Sequence, residues 1–445
     1  MKSSKNKRMD PLQPFDQSTL CKFSCNSIFS IFSSLPKGIF SVSLFGLFLG
    51  AATTMVYSQI GLFMKYELHA SEMKIAVIDG IVEFIAYAVR VFSGLISDYL
   101  RNRKLLLIIG CTLTLFMKPI YAIAQSSITV LIAQTIERIG NGFQAVPRDA
   151  LIADLSPQKN LAQSFGFSRS LKTFGALMGG VIATCIMWLT ADNFRIVFLC
   201  STIAVFISIL CLSLVKTKQE LQNDLNDSSE KSTDDTKKIK NPFQKKYLKS
   251  LDKHFWKIVL LSVIFELGHF TESLLPIYAE SFIKITLAGS ISTALSIGQV
   301  LCSFPIGLYA DKFGRGMFIR ICILMMIAAN VLFVSAQYFG SIIPAYVAAF
   351  LWGGQMTAVQ GLFLSIISKR VDPHLRGTAI GFYYCSIGVS YLVASAIAGY
   401  IWSDFGSTYA FAYSIVFCVI SLFLFRTLLP KKYEFSKEFT EKECL

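Results

Sequence analysis

The sequence predicts an all-α polytopic membrane protein of about twelve transmembrane helices in two six-helix bundles. Three observations carry this: an apolar composition, apolar runs of spanning length at regular intervals, and a motif that recurs once in each half. The 445 residues are 53% hydrophobic, 13% aromatic and only 16% charged, with a mean hydropathy of +0.55. A soluble protein carries about a quarter charged residues, and one this apolar would expose patches that drive aggregation. Lipid as the solvent removes that difficulty.

Apolar runs fall at roughly 38–64, 75–97, 104–124, 128–152, 164–189 and 194–215, and again at 256–280, 287–310, 316–337, 341–367, 377–402 and 407–429. Each approaches or exceeds the roughly 20 residues that cross a bilayer. The stretch between the sets is rich in Asn, Asp, Ser and Lys and reads as a flexible linker. The expected organisation is a tail over 1–37, a first bundle over 38–215, a linker over 216–254, a second bundle over 255–429 and a tail over 430–445. The run at 38–64 serves as an uncleaved insertion signal, since no apolar segment before it ends in a small-residue cleavage site.

The net charge of +14 does not indicate nucleic acid, because Lys and Arg crowd into particular loops and tails rather than along a helix face. Arg101, Arg103, Lys104, Lys159, Lys312, Arg315, Lys369, Arg370, Arg376 and the linker lysines lie on one side. Lys65, Lys74, Arg195 and Lys284 lie on the other. By the positive-inside rule both termini and the linker are cytoplasmic. Among the 11 cysteines, Cys111, Cys185, Cys211, Cys322 and Cys418 sit inside apolar runs with neither zinc nor disulfide spacing, and are read as free buried thiols.

The halves repeat. Gly94-Leu-Ile-Ser-Asp98, placed in the loop after the second span, recurs 213 residues later as Gly307-Leu-Tyr-Ala-Asp311 after the eighth. Gly166-Phe167 in the fifth span recurs 215 residues later as Gly381-Phe382 in the eleventh. Parallel repeats joined by a polar linker are what a two-domain rocking carrier requires. The runs Gly94-x3-Asp98-x4-Arg103-Lys104 and Gly307-x3-Asp311-Lys312-Phe313-Gly314-Arg315 resemble the cytoplasmic signature of the major facilitator superfamily. The first copy departs from it at Arg101 and Asn102.

The fourth span, Glu137-Arg138 through Gly142 to Pro147-Arg148-Asp149-Ala-Leu-Ile-Ala-Asp154, is similar to a little-characterised prokaryotic group within that superfamily. Gly361, Leu375-Arg376-Gly377-Thr378 and Ala394-Ser395-x3-Gly399 fit the same group. The resemblance implies a solute transporter of the cell membrane, in bacteria the inner membrane. It implies proton coupling and no cofactor, with lipid, a small-molecule substrate and protons as partners in a monomer. It names no substrate.

Ionisable residues at membrane depth cost from a few kcal/mol upward unless paired or facing a wet cavity. The second span carries Asp79 and Glu83 one turn apart, with Arg90 further along. The fourth places Arg138 about 15 Å deep. The fifth carries Arg169 and Lys172, and the seventh carries Glu266, His269 and Glu272 on a helical arc of about 120°. All are expected to line the gap between bundles, with Glu83, Arg138 and Lys172 at comparable depth. Glu83, Glu266 and Glu272 are the candidate proton carriers and His269 a candidate relay, against the alternative of a static ion-pair network.

Toward the cytoplasmic face, Gly94, Asp98, Arg103, Lys104, Arg148, Asp149, Asp154, Gly307, Asp311, Gly314 and Arg315 form a candidate gate. There helix termini and cross-face pairs would latch one conformation. Relative to the resembled group, Gly50 and Thr54 stand where acids are found, Lys172 replaces an acid and Gln360 stands where an acid is common. These departures favour an anionic or zwitterionic solute.

Gly166-x8-Gly175-x3-Gly179-Gly180 partly matches an antiporter signature, and small residues at that spacing equally serve close helix packing. Export of a drug-like or siderophore-like compound therefore stays open, as does a carrier-like membrane sensor. A membrane enzyme is disfavoured because His69, His254, His269 and His374 are scattered and no nucleophile–base set or metal cluster accompanies them. Tyr57, Phe270, Trp352, Tyr383, Tyr384 and Tyr391 are candidate route-lining aromatics.

Overall fold

The computed structural model describes residues 37–100, 103–156, 161–215, 253–371 and 376–428. In the first half the helices are α1 (Lys37–Tyr66), α2 (Glu72–Leu100), α3 (Arg103–Ile123), α4 (Ser127–Leu155), α5 (Leu161–Leu189) and α6 (Phe194–Ser213). In the second they are α7 (Lys253–Leu267), α8 (Leu274–Glu280), α9 (Ile285–Ala288), α10 (Ser290–Phe313), α11 (Arg315–Phe339), α12 (Ile342–Arg370), α13 (Arg376–Phe405) and α14 (Ser407–Leu428). The short α7 and α8 together make one crossing, and α9 leads into α10, so the long elements amount to two sets of six.

Among the described residues nine crossings are apolar enough to span by composition alone. The other three are α2, α4 and the α7–α8 pair. α2 and α4 hold Asp79, Glu83, Arg90, Glu137 and Arg138, and the α7–α8 crossing is interrupted. Charge is thus concentrated in α2 and α4, although Lys118 on α3 and Lys172 on α5 lie inside apolar crossings.

Side-chain caps start α4 and α6: Ser126 accepts from the Thr129 amide and Asn193 from the Ile196 amide. Glycine sets the closest contacts. A Cβ at Gly175 or Gly179 would lie 2.0 Å from the Leu47 carbonyl oxygen or 2.2 Å from that of Ala51, so α5 packs backbone-to-backbone on α1. The second half repeats this between α10 and α12, where a Cβ at Gly298 or Gly353 would lie 2.0 Å from the carbonyl oxygen of Phe350 or Leu295.

Within the bundles α1 packs on α5 and α6, α4 on α2 and α3, α12 on α10 and α11, and α14 on α7, α11 and α13. Between them α2 packs along α13, and α5 against α10. The repeat relates α2 to α10 and α5 to α13, so these two cross-bundle contacts are equivalent under it.

Two expectations are corrected. The Gly94–Asp98 and Gly307–Asp311 runs are helical, in the last turns of α2 and α10, and not in loops. Gly314, at φ 109°, makes the turn from α10 into α11.

The seventh crossing is not one helix: α7 stops at Leu267 and α8 starts at Leu274. Glu266, His269 and Glu272 therefore do not share a helical arc. The interruption is stabilised from outside by Ser414 Oγ, which donates to the Gly268 carbonyl, and from within by Thr271 Oγ1, which accepts from the Ser273 amide. Irregular backbone at membrane depth persists only where protein satisfies it in this way.

All eight described cysteines are free. Cys111, Cys322 and Cys418 are buried as expected, whereas Cys185 is exposed and Cys211 half-buried.

Candidate functional site

α2 presents Asp79, Glu83, Tyr87 and Arg90 at spacings of four, four and three, a single stripe along one helix face. The stripe faces both bundles. Asp79 is buried; its Oδ2 accepts from Thr271 Oγ1 at 2.6 Å in the α7–α8 interruption, and its Oδ1 from Gln134 Nε2 at 3.4 Å on α4.

One turn on, Glu83 pairs with Arg138 of α4 at 3.5 Å, and the Arg138 guanidinium lies 4.6 Å from the Tyr57 ring centroid. One turn further, the Tyr87 hydroxyl accepts from Gln360 Nε2 of α12 at 2.7 Å. The Tyr87 ring stacks on Tyr384 of α13, and the Arg90 guanidinium lies over the same Tyr87 ring, 5.1 Å from its centroid.

The second bundle brings Glu272 within electrostatic reach of Glu83, Arg138 and Asp79, and Glu266 within reach of Glu83. Three expected carboxylates, Asp79, Glu83 and Glu272, therefore surround one arginine. His269 is placed elsewhere: Gln355 Nε2 is 3.0 Å from its Nε2, and Phe265 and Trp352 meet its ring edge-on inside the second bundle. Phe270 and Trp352 likewise belong to that buried aromatic cluster.

A cavity of about 200 Å³ opens from Arg138 along α1, α2, α4 and α5. Its charged lining among the described residues is Arg90, Arg138, Arg148 and Lys172, without a carboxylate, beside Gly50, Thr54, Asn141 and Gln144. Lys172 is exposed into it. The expected common depth fails for this lysine. Glu83 and Arg138 lie eleven residues from the ends of α2 and α4 nearest the α1–α2 turn, whereas Lys172 lies eleven from the opposite end of α5. Lys172 is consequently about 9 Å nearer the linker end, in the field of Arg148, Arg90, Asp149 and Arg169. Gly50 is a packing position as well as a lining one, since a Cβ there would fall 2.4 Å from the Lys172 carbonyl oxygen.

Beyond Asp79 the bundles are shut at the end that carries the α1–α2 turn. A Cβ at Gly61 would strike the Ser273 carbonyl oxygen at 2.3 Å, one at Gly399 the Ala76 side chain at 2.5 Å, and one at Gly180 the Thr293 hydroxyl at 2.6 Å. Lys65 reaches Glu280 at 3.7 Å across the same end.

Of the candidate gate, Arg148 donates to Asp149 at 2.9 Å and Arg315 to the Ser365 carbonyl at 3.0 Å, tying α11 to α12. Lys104 is half-buried at the start of α3. Gly94, Asp98, Arg103, Asp154, Gly307 and Asp311 are placed on their helices, but their side chains lie outside the described ones, as do the whole of Arg101, Asn102 and His374.

Two clusters were not read from the sequence. Lys118, Glu137 and Tyr121 form a buried set between α3 and α4, with Lys118 Nζ 2.7 Å from Glu137 Oε1 and the Tyr121 hydroxyl donating to Oε2 at 2.8 Å. A lysine inside an otherwise apolar run and an acid at matching depth were the available signals. Thr271 and Gln134, the donors to Asp79, gave none, because neutral polar residues cost little in a spanning segment.

Residues 42–284 and 270–443 match the Major Facilitator Superfamily. The chain belongs to that superfamily. An uncharacterized MFS-type transporter of Methanocaldococcus jannaschii is 27% identical over 356 residues, covering 78% of this chain and 84% of that one.

Among solved structures, a mutant of the nucleoside transporter NupG superposes with a TM-score of 0.73 at 14% identity, over 88% of this chain and 100% of that one. The D-xylose-proton symporter follows at 0.67 and 17%, over 91% and 98%. A bacterial homolog of the human lysosomal transporter Spinster, inward-facing and unoccupied, gives 0.65 and 14%, over 90% and 98%. This facilitator-superfamily chain is a multi-pass membrane transporter with the fold of these proteins, and membrane lipid and a small-molecule substrate are its partners.

Proposed function

We propose that this transporter carries a small anionic or zwitterionic solute across the cell membrane by proton-coupled alternating access. The observation that carries the reading is the cavity lining, four cationic side chains and no carboxylate among the described residues. A cation there would meet repulsion from every charged wall, whereas a carboxylate or phosphate is offered charge-assisted hydrogen bonds.

The carboxylates stand apart, one layer deeper, where Asp79, Glu83 and Glu272 surround Arg138. A proton taken by one of them changes what Arg138 pairs with, and so links proton loading to the cavity wall. The D-xylose-proton symporter, which shares the fold, supports that coupling by analogy.

The Lys/Arg bias supports a cytoplasmic linker and termini, and with it a cavity that opens inward while the opposite end is closed. The boundaries expected for the tails, the linker and the two bundles belong to this reading, as do a monomeric state and a bacterial inner-membrane location. Of the glycines that resemble an antiporter signature, Gly175 and Gly179 pack α5 on α1 and Gly180 meets Thr293 of α10, so packing accounts for them and they carry no argument for export.

The test is reconstitution in vesicles under an imposed pH gradient with a panel of labelled organic anions. A substrate should accumulate with the gradient, and Lys172→Gln or Arg148→Gln should lower its uptake about tenfold, the cost of one charge-assisted contact. Uptake of cations in preference to anions would overturn the substrate class, and counterflow indifferent to the gradient would overturn the coupling.

A further inference from the structure

The Lys118–Glu137–Tyr121 cluster has no part in the proposed cycle as described so far, yet a small cavity is lined by Tyr121, Glu137 and Arg138 together. That cavity measures about 10 Å³ and is lined by Thr53, Val56, Tyr57, Tyr121, Gln134, Glu137 and Arg138. One water needs about 10–15 Å³ on this measure and two to four polar partners, so the volume suits a single molecule and no more.

The lining is polar enough to hold it. Gln134 is buried to 4% exposure, spends its Nε2 on Asp79, and its Oε1 has no hydrogen-bond partner among the described residues. That oxygen needs a donor, because a buried acceptor left without one loses its hydration uncompensated. Glu137 offers acceptor capacity beyond its bonds to Lys118 and Tyr121. Arg138 brings guanidinium donors beyond its contact with Glu83.

We propose that this cavity is a single-water site and that its water joins Gln134 and Glu137 to Arg138, so that Arg138 is held between two carboxylates. Glu83 holds it from the bundle interface and Glu137 from the α3 side. Glu137 and Arg138 are consecutive on α4 and point to different sides of the helix, which is why no direct pair forms and a bridge is required. Lys118 and Tyr121 fix the Glu137 carboxylate in place, and the water passes that anchoring to Arg138. In the cycle proposed above, on which this consequence rests, Glu137 is the positioning residue that retains Arg138 while Glu83 is neutral.

The experiment is a double-mutant cycle on the purified full-length protein, read as melting temperature in detergent with no pH gradient. Glu83→Gln removes the direct pair and Glu137→Gln the water-held one; the double variant removes both, while Asp79 and Glu272 stay within electrostatic reach of Arg138. The double variant should lose several degrees more than the two single losses combined, and additive losses would overturn the bridge.

Val56→Ile provides a second arm should Glu137→Gln not fold, because the added methyl group takes the space of the water while both charges remain. It too should be non-additive with Glu83→Gln, and additivity overturns the proposal equally. The cycle is independent of transport, so a wild-type protein indifferent to a pH gradient would remove proton coupling and leave this result to be decided on its own.

Discussion

Thr271, in the interruption between α7 and α8, donates a 2.6 Å hydrogen bond to Asp79 of α2 across the boundary between the two bundles. The bond sits just beyond the charged layer, on the side where the bundles are closed. It joins the helix that carries the ionisable stripe to the segment where the α-helix is already interrupted. A carrier that opens at this end must break it, and the interruption gives the second bundle a place to bend when it does.

Thr271→Val keeps the volume and removes the donor. Asp79 Oδ2 would then be buried without that partner, at a cost of about 1–3 kcal/mol to the closed arrangement. Closed-end contacts should loosen, and amide exchange over residues 268–275 should quicken. Unchanged exchange in this segment would show that the bond does not hold the closed end.

The Lys118–Glu137 pair predicts an asymmetry. Lys118→Met alone strands a carboxylate between α3 and α4, and breaking a buried pair in this way costs about 3–5 kcal/mol. Lys118→Met with Glu137→Gln removes both charges and should recover much of the loss. Thermal melts of the three proteins check it; a double variant no better than Lys118→Met would mean that packing, not charge, sets the penalty.

Much of this architecture is legible in the sequence because water and lipid impose strong, local constraints. Apolar runs mark the crossings, and a charge inside such a run must point inward, which located Asp79, Glu83, Arg138 and Glu272. The interruption after Leu267 was not legible. Glu266, His269 and Glu272 fit a helical period, and the groups that stabilise the break, Ser414 and Asp79, are distant in sequence. Lys172 was placed too deep because equal distance from a helix end means opposite depth in helices that run in opposite directions. His269 looked like a relay in one dimension, and it is held by Gln355 and the rings of Phe265 and Trp352 instead.

At the closed end, Lys65 bridges Glu72 at 3.3 Å and Glu280 at 3.7 Å, with all three side chains about a quarter exposed. Partly exposed pairs of this kind contribute about 0–1 kcal/mol and are screened by salt. Glu280→Gln should therefore leave the melting temperature within about 2 °C of wild type, while its effect on opening at this end fades as ionic strength rises. A loss comparable to that of Lys118→Met would show that this surface pair is not screened as its exposure requires.

The consecutive glycines of α5 make the sharpest contrast. A Cβ at Gly179 would meet the Ala51 carbonyl oxygen at 2.2 Å, and backbone cannot step aside without separating α1 from α5 within the first bundle. One at Gly180 would meet the Thr293 hydroxyl at 2.6 Å, a side chain of the second bundle that can rotate or withdraw as the bundles part. Gly179→Ala should abolish folding or assembly, as overpacking against fixed backbone does. Gly180→Ala should fold and shift the conformational balance toward opening at that end, seen as faster thiol labelling of a cysteine introduced at Thr293. Equal loss of folded protein in both variants would mean that α5 meets α10 as rigidly as it meets α1, and that the two bundles do not move apart along this seam.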